Sequence, residues 1–224
     1  MEVRADLADA HRDAWTHLAE PGSWWTGEQR LELAKTVLGA MSDNEPIPPW
    51  GSISAVDGRI PDMPTAPAFA HDVAYRIARH AGTLTEDWYK KASEELGPLP
   101  YVELVGIVTT VAAVSRFSRS VGADVPEFPS PVPGEPTGDA PDDLVDPELN
   151  WVPVAAPADQ TAAVMQAYTA VPSEFQNYLQ MASAQYMPAA EMGDPAWMRR
   201  EGGLTRPQTE LVASRVAQLR ECFY

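Results

Sequence analysis

The residues with the clearest chemical potential lie near the C-terminal end of the sequence. Cys222 is the only cysteine among 224 residues, and Glu210 precedes it by 12 positions. A thiolate is a nucleophile towards peroxides and disulfides. A carboxylate about three helical turns earlier can relay a proton through water. The plainer alternatives are a buried, inert core thiol at Cys222 and a first-turn acid favoured by the helix dipole at Glu210. The same spacing occurs once more: Glu103, Leu104 and Val105 match Glu210, Leu211 and Val212, and 12 residues beyond Glu103 stands Ser115. A Glu in the first turn after Pro100 needs no role beyond the helix dipole, so Glu103 reads as structural.

Helices must position these groups. Thr26 and Gln29 form a capping-box pattern, and the helix that follows runs to about Met41 with Leu31, Ala34, Val37, Leu38 and Met41 on one face. Thr205 and Gln208 repeat the pattern, with Pro207 in the first turn where its missing N–H does little harm. Thr26, Gln29, Ala34 and Val37 align with Thr205, Gln208, Ala213 and Val216 at an offset of 179 residues. Between them, helices are expected over His71 to His80, in a segment started by Thr85, and from Tyr101 to about Val121. The last of these is apolar on nearly every side and therefore central in a bundle. A further helical stretch, Ala162 to about Met187, is interrupted at Pro172.

Two segments are rich in proline. The first, Pro46 to Pro67, is a connection. Positions 126–157 hold nine of the 22 prolines, which excludes a helix and leaves a linker or an extended strap. Positions 120–198 contain 12 Asp or Glu and no Lys or Arg, so most of the net charge of -16 sits there.

Composition narrows the function classes. With 45 % hydrophobic residues the chain can build a core, and collagen-like or disordered readings fail. The acidic field opposes binding to nucleic acid and to anionic lipid. A single cysteine makes no internal disulfide, and the charged N-terminus does not resemble a signal peptide. The longest apolar run, Val102 to Val114, is short for a membrane span. The expectation is a cytoplasmic protein. His71 and His80 are 9 residues apart, which is not the spacing of a metal-binding pair, while His11 and His17 read as surface residues of an N-terminal helix. No metal or bound cofactor is expected. Trp24 and Trp25 read as a hydrophobic staple and core anchor.

The segment from Leu204 through Glu210 to Cys222 and Tyr224 resembles the active-site helix of the alkylhydroperoxidase D-like and carboxymuconolactone decarboxylase superfamily. Its redox members carry a Glu, a Cys 12 residues later, and then the pattern C-x-x-C-x-x-x-H. The resemblance extends to the segments starting at Thr85 and Tyr101, as in two-repeat members. It implies an all-α, alkylhydroperoxidase D-like bundle of two repeats, the second incomplete: 1–125 a degenerate repeat, 126–160 a Pro-rich acidic linker, and 161–224 the front of a second repeat. It also implies that Glu210 is the proton-relay Glu and Cys222 the resolving Cys, with the attacking residue at position 225 and the His at 229. In the first repeat Ser115 and Ser118 take the two Cys places and Gly122 the His place.

Some members of that superfamily use selenocysteine in the C-x-x-C pair, and an end at Tyr224 is what its codon, UGA, read as a stop would produce. A shortened chain, a nonsense codon and a natural short form are the competing possibilities. The implied reaction is reduction of a hydroperoxide by a thiol reductant through a C-x-x-C or C-x-x-selenocysteine pair, in a homo-oligomer. A non-catalytic helical interaction protein is the alternative from another class, and a lactone acid–base enzyme like the decarboxylase branch is the third.

Overall fold

The computed structural model describes residues 3–49, 54–146, 150–155, 162–200 and 202–222. Parts of the Pro46–Pro67 connection and of the 126–160 segment, and the last two residues of the family-like segment, lie outside the described residues. The chain is all-α. Its helices are α1 (Ala5–His17), α2 (Gly27–Ala40), α3 (Ala68–His80), α4 (Glu86–Leu96), α5 (Pro98–Ser120), α6 (Ala163–Gln166), α7 (Pro172–Gln185) and α8 (Arg206–Leu219). Two short strands, β1 (Leu144–Val145) and β2 (Val154–Ala155), pair antiparallel.

Both capping boxes form. The Thr26 hydroxyl accepts from the Gln29 N–H while the Gln29 side chain accepts from the Thr26 N–H, and Thr205 and Gln208 do the same. Each arrangement satisfies two of the amides that a helix start leaves without partners. The resulting helices are 14 residues each, and their bounds coincide at the offset of 179.

Helix α5 is the axis of the bundle. Leu104, Ile107 and Val111 are wholly buried, and α1, α2, α3, α4 and α7 pack around it. Gly97 joins α4 to α5 with φ of 87°, a conformation a side chain would disfavour, and Pro98 and Pro100 occupy the first turn. At 23 residues α5 is long and apolar enough to cross a bilayer, although most of its apolar window is buried against the other helices.

The Pro-rich segment after α5 is a strap. Three of its amides bind the α1–α2 corner: Val132 donates to the Ala19 carbonyl at 2.8 Å, Thr137 to Gly22 at 3.1 Å and Gly138 to Ser23 at 2.8 Å. Trp15 stacks on Phe128 at 4.8 Å, and its indole N–H donates to the Glu127 carbonyl at 3.0 Å. The strap thus closes over the helix corner, and α7 beyond it packs onto α1 and α5.

Helix α8 differs from the rest. None of its side chains is buried, and Leu211, Val212, Val216 and Leu219 are all more than half exposed. It is held at its start, where the Arg206 guanidinium donates to the Asp194 and Met192 carbonyls at 2.7 and 3.2 Å.

Candidate functional site

Glu210 is the fifth residue of α8, just past the first turn expected from the sequence, and the Tyr186 hydroxyl donates a short hydrogen bond to its Oε2. Arg206 Nε approaches Oε1 at 3.9 Å. Together with Met165, Met187, Met192 and Leu179 these side chains line a cavity of about 310 Å³. Burial, and then the Glu210 carboxylate, push the Tyr186 phenol up to about 12, so Tyr186 stays a hydrogen-bond donor to Glu210.

Cys222 is exposed and lies beyond the end of α8. Its N–H donates to the Ala217 carbonyl at 3.0 Å, while Glu221 takes a left-handed φ of 54°. This is a Schellman-type termination with Glu where Gly is usual. About 13 Å of helix axis separates Glu210 from Leu219, at 1.5 Å per residue. The structure therefore puts the carboxylate and the thiol at opposite ends of α8 and does not bring them together.

The matching residues of α5 have another environment. Ser115 and Ser118 are buried and donate back to the Val111 and Val114 carbonyls, at 2.6 and 3.0 Å. Gly122 takes φ of 74° just past the helix end.

The first-turn reading of Glu103 is corrected by the structure. Helix α5 starts at Pro98, so Glu103 is its sixth residue, past the first turn, and its side chain is fully buried because α5 is the central helix and meets Arg30 of α2 and Trp24 of the α1–α2 corner there. One carboxylate oxygen accepts a short charge-assisted bond from Arg30 Nη1, and the other accepts from the Trp24 N–H at 2.7 Å. The same Arg30 nitrogen lies 2.8 Å from Glu174 Oε1, contributed by the first turn of α7. His17 Nε2 is 3.1 Å from that oxygen, and His17 Nδ1 is 3.1 Å from Glu20, which reaches solvent.

The surface reading of the two N-terminal histidines is likewise corrected. His17, mostly covered, belongs to this ionic cluster, and His11 is buried edge-on against Phe117 at 4.8 Å. The reason is that α7 packs on α1 and covers that face.

The electrostatics follow from burial and sharing. Burial raises the Glu103 pKa; Arg30 works against this, and the charge on Glu174 adds to it. Burial acts the same way on Glu174, yet Arg30 and His17 together outweigh it and hold that carboxyl below the usual range. Burial opposes the charged form of His17, but its bond to Glu174 prevails and raises the imidazole above its ordinary value. The cluster so formed is Arg30 with two carboxylates and a protonating imidazole, and Glu174, His17 and Glu20 make a path along which a proton can reach solvent. Space is tight: a methyl added at Gly22 would collide with Glu103 and Arg30, and one at Gly106 with Glu174.

His71 is buried with Nε2 at 2.7 Å from Glu32 and Nδ1 at 2.7 Å from the Thr36 hydroxyl. Among the described residues no group of three or more His, Cys, Asp or Glu is arranged to hold a metal ion. No protein-family model, no curated protein and no solved structure matches the chain.

Proposed function

We propose that the protein is a thiol-dependent hydroperoxide reductase of the alkylhydroperoxidase D-like kind, in which Cys222 is the resolving thiol. The observation that carries this reading is the exposed Cys222 following α8, whose capping box and length repeat those of α2. In the proposed cycle an attacking thiolate or selenolate, which the family spacing puts three residues after Cys222, takes the terminal oxygen of the hydroperoxide. The O–O bond breaks and the alcohol leaves with a proton. Cys222 then attacks the resulting sulfenic or selenenic centre, water departs, and the new S–S or S–Se bond is reduced by an external dithiol. A proton from Glu210 would travel through solvent, given its place at the far end of α8.

On this reading the protein works in the cytoplasm, without a bound cofactor, as a homo-oligomer. The N-terminal repeat is structural: its Ser115 and Ser118 are buried, and its Glu103 is committed to Arg30. The test is peroxide consumption by the full gene product with a dithiol reductant. Cys222→Ser should abolish turnover, and unchanged turnover in that variant would contradict the reading.

One observation favours a second, non-catalytic reading as a helical interaction protein. The face of α8 made by Val212, Val216 and Leu219 is more than half exposed among the described residues, whereas Leu33, Val37 and Ala40 at the same places in α2 are covered by α3 and α5. Light scattering across a concentration series should show an assembly that Val216→Asp disperses. A monomer at all concentrations would count against an assembly of identical chains.

A further inference from the structure

A second cavity, far from the thiol in sequence, has the character of a ligand site. It measures about 620 Å³, within the usual range for small-molecule pockets, and lies between α4, α5, the 150–152 segment and the α6 region. Its wall is a chain of ring contacts: Tyr101 meets Tyr89 edge-on at 5.2 Å, and Tyr89 lies 5.9 Å from Trp151. Tyr168 forms a further side, fixed from behind by stacking on Tyr178 at 4.9 Å and by a 2.7 Å hydrogen bond with the Thr109 hydroxyl. The surfaces that would receive a flat molecule are therefore already ordered, which lowers the entropy lost on binding.

Charge and polarity restrict the ligand. Among the described residues no Asp, Glu, Lys, Arg or His lines the cavity, Asp146 acting on Tyr89 from outside the lining, and an ion brought into it would lose hydration without a partner among them. The polar groups are few. The Asn150 amide is engaged with the Ala163 carbonyl at 3.2 Å. The Tyr101 hydroxyl, on a buried residue, makes no hydrogen bond among the described residues. Burial also raises the Tyr101 pKa, so this group remains a phenol able to donate. At the rim, Trp151 and Val164 are exposed apolar side chains.

We propose that this cavity binds a neutral, planar aromatic compound of one or two rings bearing one oxygen acceptor. The rings lie against Tyr89, Tyr101 and Trp151, and the oxygen accepts from the Tyr101 hydroxyl. The assignment is independent of Cys222 and of peroxide chemistry, so either can fail without the other.

The probe is N-phenyl-1-naphthylamine, whose fluorescence rises in apolar sites, displaced by 2-acetylnaphthalene or by 2-ethylnaphthalene, which lacks the acceptor. Saturable one-to-one binding is expected, with the acetyl compound the better competitor. Tyr101→Phe should remove that preference while retaining probe binding. Val164→Trp, at an exposed position over the mouth, should weaken the probe by about tenfold or more, which corresponds to about 1.4 kcal/mol. Trp151→Ala, which removes one of the rings the ligand lies against, should weaken it as well. Absence of saturable binding would overturn the proposal. So would equal displacement by the two competitors in the unaltered protein, or binding that survives both rim variants and is lost on Val216→Glu, since the probe would then sit on the exposed face of α8.

Discussion

Helices α2 and α8 begin with the same capping box and have the same length, yet they occupy opposite environments. In α2, Val37 is 0 % exposed and Arg30 is enclosed between two carboxylates; in α8, Val216 at the corresponding place is 54 % exposed and Glu210 keeps one side to solvent. Local sequence chemistry specifies where each helix starts and stops, because the cap satisfies amides whatever lies further off. It does not specify what covers the helix. The difference also divides the labour: the first region spends its polar side chains on holding helices together, while the second leaves its thiol accessible.

Breaking the first region where its charges meet should have the largest effect. Arg30→Met leaves Glu103 and Glu174 buried without their shared cation, and a loss of about 3–5 kcal/mol is expected in denaturant unfolding. A change under about 1 kcal/mol would show that the cluster is not what joins α2, α5 and α7.

The matched pair Val37→Ala and Val216→Ala sharpens the contrast directly. The first removes two buried methyl groups and should cost about 2 kcal/mol, cavity included. The second should stay within about 0.5 kcal/mol, as surface substitutions do. Equal effects would mean that the α8 face is covered in solution, and the scattering experiment would then identify an assembly.

The caps give a smaller difference. Thr26→Ala should destabilise by about 1 kcal/mol. Thr205→Ala frays a helix that buries no side chain, so its effect on global unfolding should be less, and it should appear instead as faster amide exchange in the first turn of α8.

The smallest expected effect is a pH slope. His17 has a raised pKa in the folded protein, so its contribution is complete below its ordinary value of 6.5 and declines as pH rises through the folded value. Glu174, with a lowered pKa, acts in the other direction, its contribution being lost as pH falls below the ordinary 4.5. His17→Asn should flatten the decline above pH 6.5 and, because Glu174 then keeps only Arg30 against its burial, weaken the acid limb as well. An unchanged slope above pH 6.5 would remove His17 from the cluster's energetics.

Much of the helical plan was legible in the sequence. The capping boxes, the break at Gly97 and Pro98, and the apolar circumference of α5 each follow from local chemistry. The ionic cluster was legible only in part. Arg30 falls on the same stripe as Ala34 and Val37, and Glu103 on the stripe of Ile107 and Val111, so two charged side chains on core faces were visible signals. Their pairing was not, because Glu174 and His17 come from segments that only the packing of α7 on α1 brings near. For the same reason His17 looked like a surface residue. The aromatic cavity was hidden too: Tyr101 and Trp151 are 50 positions apart and meet through Tyr89 of a third segment.

The central claim is that Cys222 resolves an oxidised centre during peroxide reduction. The most direct measurement treats the full gene product with one equivalent of hydroperoxide, without reductant, and maps the state of Cys222 by mass spectrometry. The account predicts that Cys222 is recovered in an S–S or S–Se bond to the residue three positions on, and that dithiol restores the thiol. Peroxide consumed while Cys222 remains a thiol throughout would contradict it.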